Sequence, residues 1–149
     1  MIREITPKET YFIRNEVLRK GKPKESCYFE GDDLETTIHF GFFEDKNCVA
    51  IVSVFQNKND NFDEDLHFQI RGMAVLESYQ NIGLGRKLIC HCEQYLEKEK
   101  CYTIWLNARE NAVSFYSKMG YEIYKEPFEI ATIGLHYCMI KKTEVVANE

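Results

Sequence analysis

No stretch of this 149-residue chain approaches the ~20 consecutive apolar residues that a membrane-crossing helix needs. The opening MIREITPKET lacks the apolar core of a secretory signal. Both absences point to a cytoplasmic protein with no membrane partner. Positive charge is not in excess: 19 Lys and Arg stand against 24 Asp and Glu, a net charge of −5. Non-specific nucleic-acid binding draws on clustered positive charge, so no nucleic-acid partner is expected. Repeats, low-complexity tracts and linkers are also missing. The chain reads as one domain over residues 1–142 with a loose tail at 143–149. What is present is apolar material, 44 % of residues with 13 % aromatics, enough to bury a core and to exclude disorder for the bulk of the chain.

Six cysteines, at positions 27, 48, 90, 92, 101 and 138, invite a disulfide reading. They are spread through segments that read as regular structure, and a reducing compartment argues for buried thiols instead. Cys90-His91-Cys92 resembles a fragment of a metal site. Ligands two apart on a helix point to different faces, and no second Cys/His pair follows at zinc-site spacing, so no metal is expected.

Thr6-Pro7-Lys8-Glu9 has the pattern of a capping box, with Thr6 as N-cap, Pro7 at N1 and Glu9 at N3, opening a helix to about Arg19. Residues 22–35 read as a long polar loop, a feature often functional in compact domains. Two strand-type runs, 37–44 and 48–56, flank the turn Asp45-Lys46-Asn47 and suggest a hairpin. After a polar loop at 57–65, residues 66–76 form a third strand, in which Gly72 marks a bulge or a close approach. A helix follows to about Lys98, with Leu84, Leu88, Cys92, Tyr95 and Leu96 as its apolar stripe. A strand at 102–106, a short helix at 111–118 with Gly120 at its C′ position, and strands at 121–125 and 135–141 complete the chain. This order implies a mixed sheet with helices on its faces, an α/β (α+β) domain.

The most informative segment is Gln80-Asn81-Ile82-Gly83-Leu84-Gly85. A glycine pair stands between a strand and the first turn of a helix, where unpaired N–H groups and the helix dipole favour negative charge. Glycine lets a phosphate approach the backbone. The segment is neither a P-loop, since no Gly-Lys-Ser/Thr follows, nor the three-glycine dinucleotide fingerprint. Alone, it serves equally well as a diphosphate cradle or as a packing device.

A second segment, Asn111-Ala112-Val113-Ser114-Phe115-Tyr116-Ser117-Lys118-Met119-Gly120-Tyr121, follows the next strand. Together with Arg71-Gly72-Met73-Ala74-Val75 and the glycine loop, it resembles the GNAT superfamily of N-acetyltransferases, over roughly residues 6–142. Finer features, among them Gly31-Asp32-Asp33, Thr37-Ile38-His39-Phe40-Gly41 and Leu106-Asn107-Ala108-Arg109, look like a bacterial branch of that superfamily without an assigned acceptor. Leu135 stands where that branch often has proline.

The resemblance implies a mostly antiparallel, twisted sheet, splayed at its central strands, with helices on both faces. It implies acetyl-CoA as cosubstrate and a small-molecule amine, metabolite or amino-acid-like, as acceptor. The backbone of Met73, Ala74 and Val75 would bond the pantetheine amides. Gln80, Asn81, Ile82, Gly83, Leu84, Gly85 and Arg86 would hold the pyrophosphate, and Asn111 would contact the pantetheine region. The N–H of Met73 or Ala74 would face the acetyl oxygen, where charge develops during attack. Tyr116 matches the family tyrosine that protonates the departing thiolate; an unperturbed phenol, at about pKa 10, suits that donation. Glu77, His39, Glu129 and His136 are candidates for a general base, and the amine could also arrive neutral. Arg19, Arg71 and Arg109 are candidate partners for an acceptor carboxylate. Acidic loops at Asp32-Asp33-Glu35 and 60–65 would instead suit a basic acceptor. A non-catalytic acyl-CoA sensor and a domain whose glycines only pack are the competing readings. Dimerisation, common among such domains, is left open by the sequence.

Overall fold

The computed structural model describes residues 1–59, 67–100, 103–131 and 133–142. The acidic loop expected at 60–65, Leu66, Cys101, Tyr102, Thr132 and the tail at 143–149 lie outside them. The chain clusters into two compact units, interleaved in sequence: Met1–Gln56 with Ile70–Tyr95, and the described residues of Asn57–Gln69 with Leu96–Glu149.

In the first unit, strand β1 (Ile2–Ile5) pairs antiparallel with β2 (Ile38–Glu44), and β2 pairs antiparallel with β3 (Asn47–Phe55). β1 is absent from the sequence expectation. Its four residues carry too little alternation to announce a strand, and its pairing with β2 creates it. The hairpin turn has two residues rather than three: Asn47 pairs with Glu44, and Asp45 takes a left-handed φ of 55°. The later part of β4 (His67–Val75) follows β3 in the strand order, and the Leu76 N–H donates to the Val49 carbonyl at 3.0 Å.

The capping box at Thr6 forms fully, the Thr6 hydroxyl accepting from the Glu9 N–H and the Glu9 carboxylate from the Thr6 N–H. The helix it opens changes character along its length: a 3-10 turn at Pro7–Thr10, α1 proper at Tyr11–Ile13, and a π turn at Arg14–Leu18. Ile5, Ile13, Phe43, Ile51 and Ala74 form one core cluster, which fixes the face of β4 that Ala74 occupies. The long helix α2 (Leu84–Lys98) buries Leu84, Leu88, Ile89, Cys92 and Leu96 along one stripe.

In the second unit, β4 pairs in parallel with β5 (Thr103–Arg109) through His67, Phe68 and Gln69. β5 pairs antiparallel with β8 (Gly134–Lys142), which also takes β6 (Glu122–Ile123) and β7 (Phe128–Ile130). β6 is shorter than expected, and β7 forms where no strand was expected. Helix α3 (Val113–Lys118) follows a 3-10 turn at Glu110–Ala112. The five described cysteines are unbridged. No group of three or more metal-ligating side chains occurs among the described residues. Within the Cys-His-Cys triplet, the His91 ring packs edge-on against Phe40 at 4.6 Å.

Candidate active site

The glycine loop is built to begin a helix abruptly. The Gln80 side-chain amide donates to the Val75 carbonyl at 2.9 Å and ties the loop to the end of β4. Asn81 (φ 66°) and Gly83 (φ 89°) both take left-handed backbone, which turns the chain into α2. Leu84 is buried and anchors the turn, whereas Ile82 is exposed. The Lys87 N–H donates to the Gly83 carbonyl at 3.1 Å, the first bond of the helix. The N–H groups of Leu84, Gly85 and Arg86 therefore have no acceptor within the helix.

Charge makes this end unusual. Helices commonly place Asp or Glu in the first turn to complement the dipole. The first turn of α2 has no acidic residue, and the exposed Arg86 and Lys87 sit there instead. Cations at the positive end of a helix are unfavourable, so an anion would relieve them. A Cβ built on Gly83 meets nothing within 4 Å, so the approach to these amides is open. Beside it, Gly83, Arg86, Lys87 and Cys90 help line a depression of about 500 Å³. Donors, charge and space all fit the diphosphate of a CoA thioester.

Of the three β4 residues singled out, Ala74 is buried in the core cluster and Met73 and Val75 are half-buried. Alternation along a strand puts their side chains on the opposite face from that of Ala74. Gly72, just before them, has φ 66°, and a Cβ there would lie 3.0 Å from the Phe29 ring. The close approach expected at this glycine is thus real.

Phe29 belongs to a network that the sequence reading did not find. Arg14 is fully buried, and its guanidinium donates to both carboxylate oxygens of Asp32 at 2.6 and 3.0 Å, to the Cys27 carbonyl at 2.9 Å and to the Ser53 hydroxyl at 3.0 Å. It also stacks on Phe29, 3.8 Å from the ring centroid. The signal was present: Thr10, Ile13, Arg14 and Val17 share one helix face by spacing, and an arginine on an apolar face requires a buried acid.

This network corrects two expectations. Asp32 is buried and committed to Arg14, so it offers nothing to a basic acceptor. His39 is not a general base. Its Nε2–H donates to the Asp32 carbonyl at 3.0 Å, so its Nδ1 accepts from the Ser53 hydroxyl at 2.6 Å. Burial lowers the His39 pKa and keeps the ring neutral. Glu77, on the 3-10 turn Glu77–Tyr79, and Glu129, on β7, are both exposed. His136 is buried on β8, opposite Arg109 and Phe128, with Nδ1 2.8 Å from the Gly134 carbonyl.

In the second unit, Asn111 is exposed on the turn before α3. Tyr116 is buried and packs edge-on against Phe115 at 5.0 Å and Tyr121 at 5.9 Å. The end of α3 explains the spacing of its motif. Gly120 (φ 96°) donates to the Ser117 carbonyl and Tyr121 to the Tyr116 carbonyl, at 3.1 Å each. These are the two bonds of a Schellman ending, with its apolar contact made by Tyr121 on Tyr116. Lys141 adds its ammonium to the Met119 carbonyl at 2.8 Å. Gly120 and Tyr121 thereby hold the Tyr116 ring in place.

The acetyltransferase (GNAT) family model matches residues 4–121, most of the chain. The chain belongs to the GNAT acetyltransferase family. It is 34% identical over 140 residues to the Bacillus subtilis protein named "Uncharacterized N-acetyltransferase YitI", covering 94% of each chain. Its fold is similar to that of the ribosomal-protein-S18-alanine N-acetyltransferase from Escherichia coli, with a TM-score of 0.78, 20% identity, and coverage of 99% of this chain and 96% of that one. It is equally similar to an aminoglycoside 6'-N-acetyltransferase complexed with coenzyme A, with a TM-score of 0.78, 13% identity and 99% of each chain covered. Within the GNAT family the chain is an acyltransferase with a mixed α/β fold and a mostly antiparallel sheet. No helix among its described residues is long and apolar enough to cross a membrane.

Proposed function

We propose that this GNAT protein transfers an acetyl group from acetyl-CoA to the amine of a small-molecule or amino-acid-like acceptor by direct attack. The observation that carries the reading is the unneutralised start of α2, with free N–H groups at Leu84, Gly85 and Arg86, two cations and no acid. A bound CoA thioester would supply an activated acyl carbon and a leaving thiolate.

The chain's own residues divide the work. The amides from Asn81 to Arg86 hold the diphosphate, with Gln80 fixing the loop to β4. The backbone of Met73, Ala74 and Val75 receives the pantetheine amides as an added strand would. The Met73 or Ala74 N–H donates to the acetyl oxygen and stabilises charge there. Asn111 contacts the pantetheine arm. The Tyr116 hydroxyl gives its proton to the departing sulfur, the ring being held by Tyr121. With His39 engaged elsewhere, Glu77, Glu129 and His136 remain as bases, alongside an amine that arrives neutral.

Tyr116→Phe tests the assignment. Free thiol release from acetyl-CoA over an amine panel should fall at least about tenfold in kcat, the lower range for a lost general acid. The rise in unfolding midpoint caused by CoA should persist. Unchanged kcat would remove Tyr116 from the chemistry. Absence of any midpoint rise at millimolar CoA would remove the diphosphate assignment.

A further inference from the structure

We infer that the acceptor carries a carboxylate, received by the Arg71 guanidinium above the rings of Phe29 and Phe55. The inference rests on the acetyltransferase reading and names the acceptor class for it.

Arg71 lies on β4 two residues before Met73, roughly 7 Å along a strand, beside the backbone assigned to the acetyl group. Its guanidinium carbon is 4.7 Å from the Phe29 centroid and 5.3 Å from that of Phe55. The residue is half-buried, so part of it remains open to solvent while burial strips water from the rest. Among the described residues it makes no ion pair. The charge around it does not balance. Arg14 and Arg19 stack on the same Phe29 ring, at 3.8 and 5.2 Å. Asp32 is the buried carboxylate of the cluster, and both its oxygens are taken by Arg14 while one also accepts the Phe29 N–H. Exposed Glu30 reaches Arg71 only through its field. Burial and the Arg14 charge both depress the Arg71 pKa, so the cluster pays to keep this cation in place.

Stacking on aromatic rings alone would hold a guanidinium, but it leaves the edge of the fork, with its N–H groups, unanswered. A carboxylate answers it with two parallel hydrogen bonds and cancels one of the excess charges. Gly72 keeps the geometry: with φ 66° and no side chain, it lets Phe29 close to 3.0 Å of its Cβ position and form the floor under Arg71.

The test uses the full chain with acetyl-CoA, free α-amino acids and β-alanine, each compared with its own carboxamide. In accepted pairs, kcat/KM should favour the carboxylate at least about tenfold, mostly through KM, the range for a hydrogen-bonded charge. With CoA present, the carboxylate should raise the unfolding midpoint and the amide should not. Arg71→Gln should bring the paired ratio close to one by raising KM for the carboxylate, and Arg71→Lys should keep part of it. The midpoint rise with CoA alone reports whether each variant still folds and binds. The inference is overturned by equal or better turnover of the amide, by a ratio that survives Arg71→Gln, or by a panel in which nothing is bound or turned over. If the wild type still responds to CoA in those cases, the family activity stands and only the acceptor class falls. Loss of the CoA response itself would instead indict the diphosphate site.

Discussion

A buried guanidinium is tolerated only when its charge and hydrogen bonds are answered, and Arg14 shows how narrow the margin is. Four of its hydrogen bonds go to Asp32, Cys27 and Ser53, while its Nε has no hydrogen-bond partner among the described residues. Asp32→Ala would leave the cation buried and uncompensated, so it should cost about 3–5 kcal/mol, read as a lower urea midpoint at unchanged slope. A loss below 1 kcal/mol would mean that water already reaches the pair. His39 adds a dependence on pH. Burial lowers its pKa, so between the folded value and the unfolded ~6.5 the unfolded chain binds a proton that the folded chain refuses. Stability from this group is present above pH ~6.5 and is lost as pH falls below it. Asp32 at 3.9 Å opposes the effect, while Arg14 reinforces it. The drop in melting midpoint from pH 7.5 to 5.5 should be larger in wild type than in His39→Gln; equal drops would take His39 out of the balance. Of this network only the place of Arg14 on an apolar helix face was legible in the sequence, because its partners come from the loop at 22–35, β2 and β3. His39 read alone looked like a base, and Asp32 read alone looked like surface charge.

At the scale of elements, the glycines separate by what surrounds them. Gly83 and Gly72 both have left-handed φ, but Gly83 faces open space and Gly72 faces Phe29. Gly83→Val should therefore cost ~1–2 kcal/mol for the backbone strain, leave the fold intact, and fill the approach to the amides of Leu84, Gly85 and Arg86. The expected result is a soluble protein whose midpoint no longer rises with CoA; a retained rise would place the diphosphate elsewhere. Elements whose signals are local were readable. Thr6 and Glu9 made their capping box, α2 ran to Lys98, and Gly120 ended α3. Elements made by partners were not: β1 exists through β2, and β6 and β7 exist through β8. The glycine loop and the end of α3 were readable as backbone for the same reason, since a helix start and a Schellman ending are also local. Arg71 was visible only as one arginine of several until Phe29 placed a floor beneath it.

For the whole molecule, the way the chain threads the two units constrains how it unfolds. Each unit takes two separate segments, and β4 passes from one to the other between Gln69 and Ile70. No contiguous stretch encodes either unit alone, so unfolding one removes an anchored strand from the other. The single tryptophan makes this testable. Trp105 is nearly buried in the second unit, its indole N–H donating to the Asn57 carbonyl at 2.9 Å. The Arg14–Asp32 pair belongs to the first unit. If the chain unfolds as one body, tryptophan fluorescence and far-ultraviolet dichroism should give the same urea midpoint. Asp32→Ala should then move the tryptophan signal by its full cost, although the substitution lies in the other unit. A tryptophan midpoint that stays fixed while the dichroism curve shifts or splits would show two separable folding bodies. Addition of CoA sharpens the comparison: the amides proposed to hold it belong to the first unit, at the start of α2, so in a cooperative chain the Trp105 midpoint should rise with ligand as much as the dichroism midpoint does.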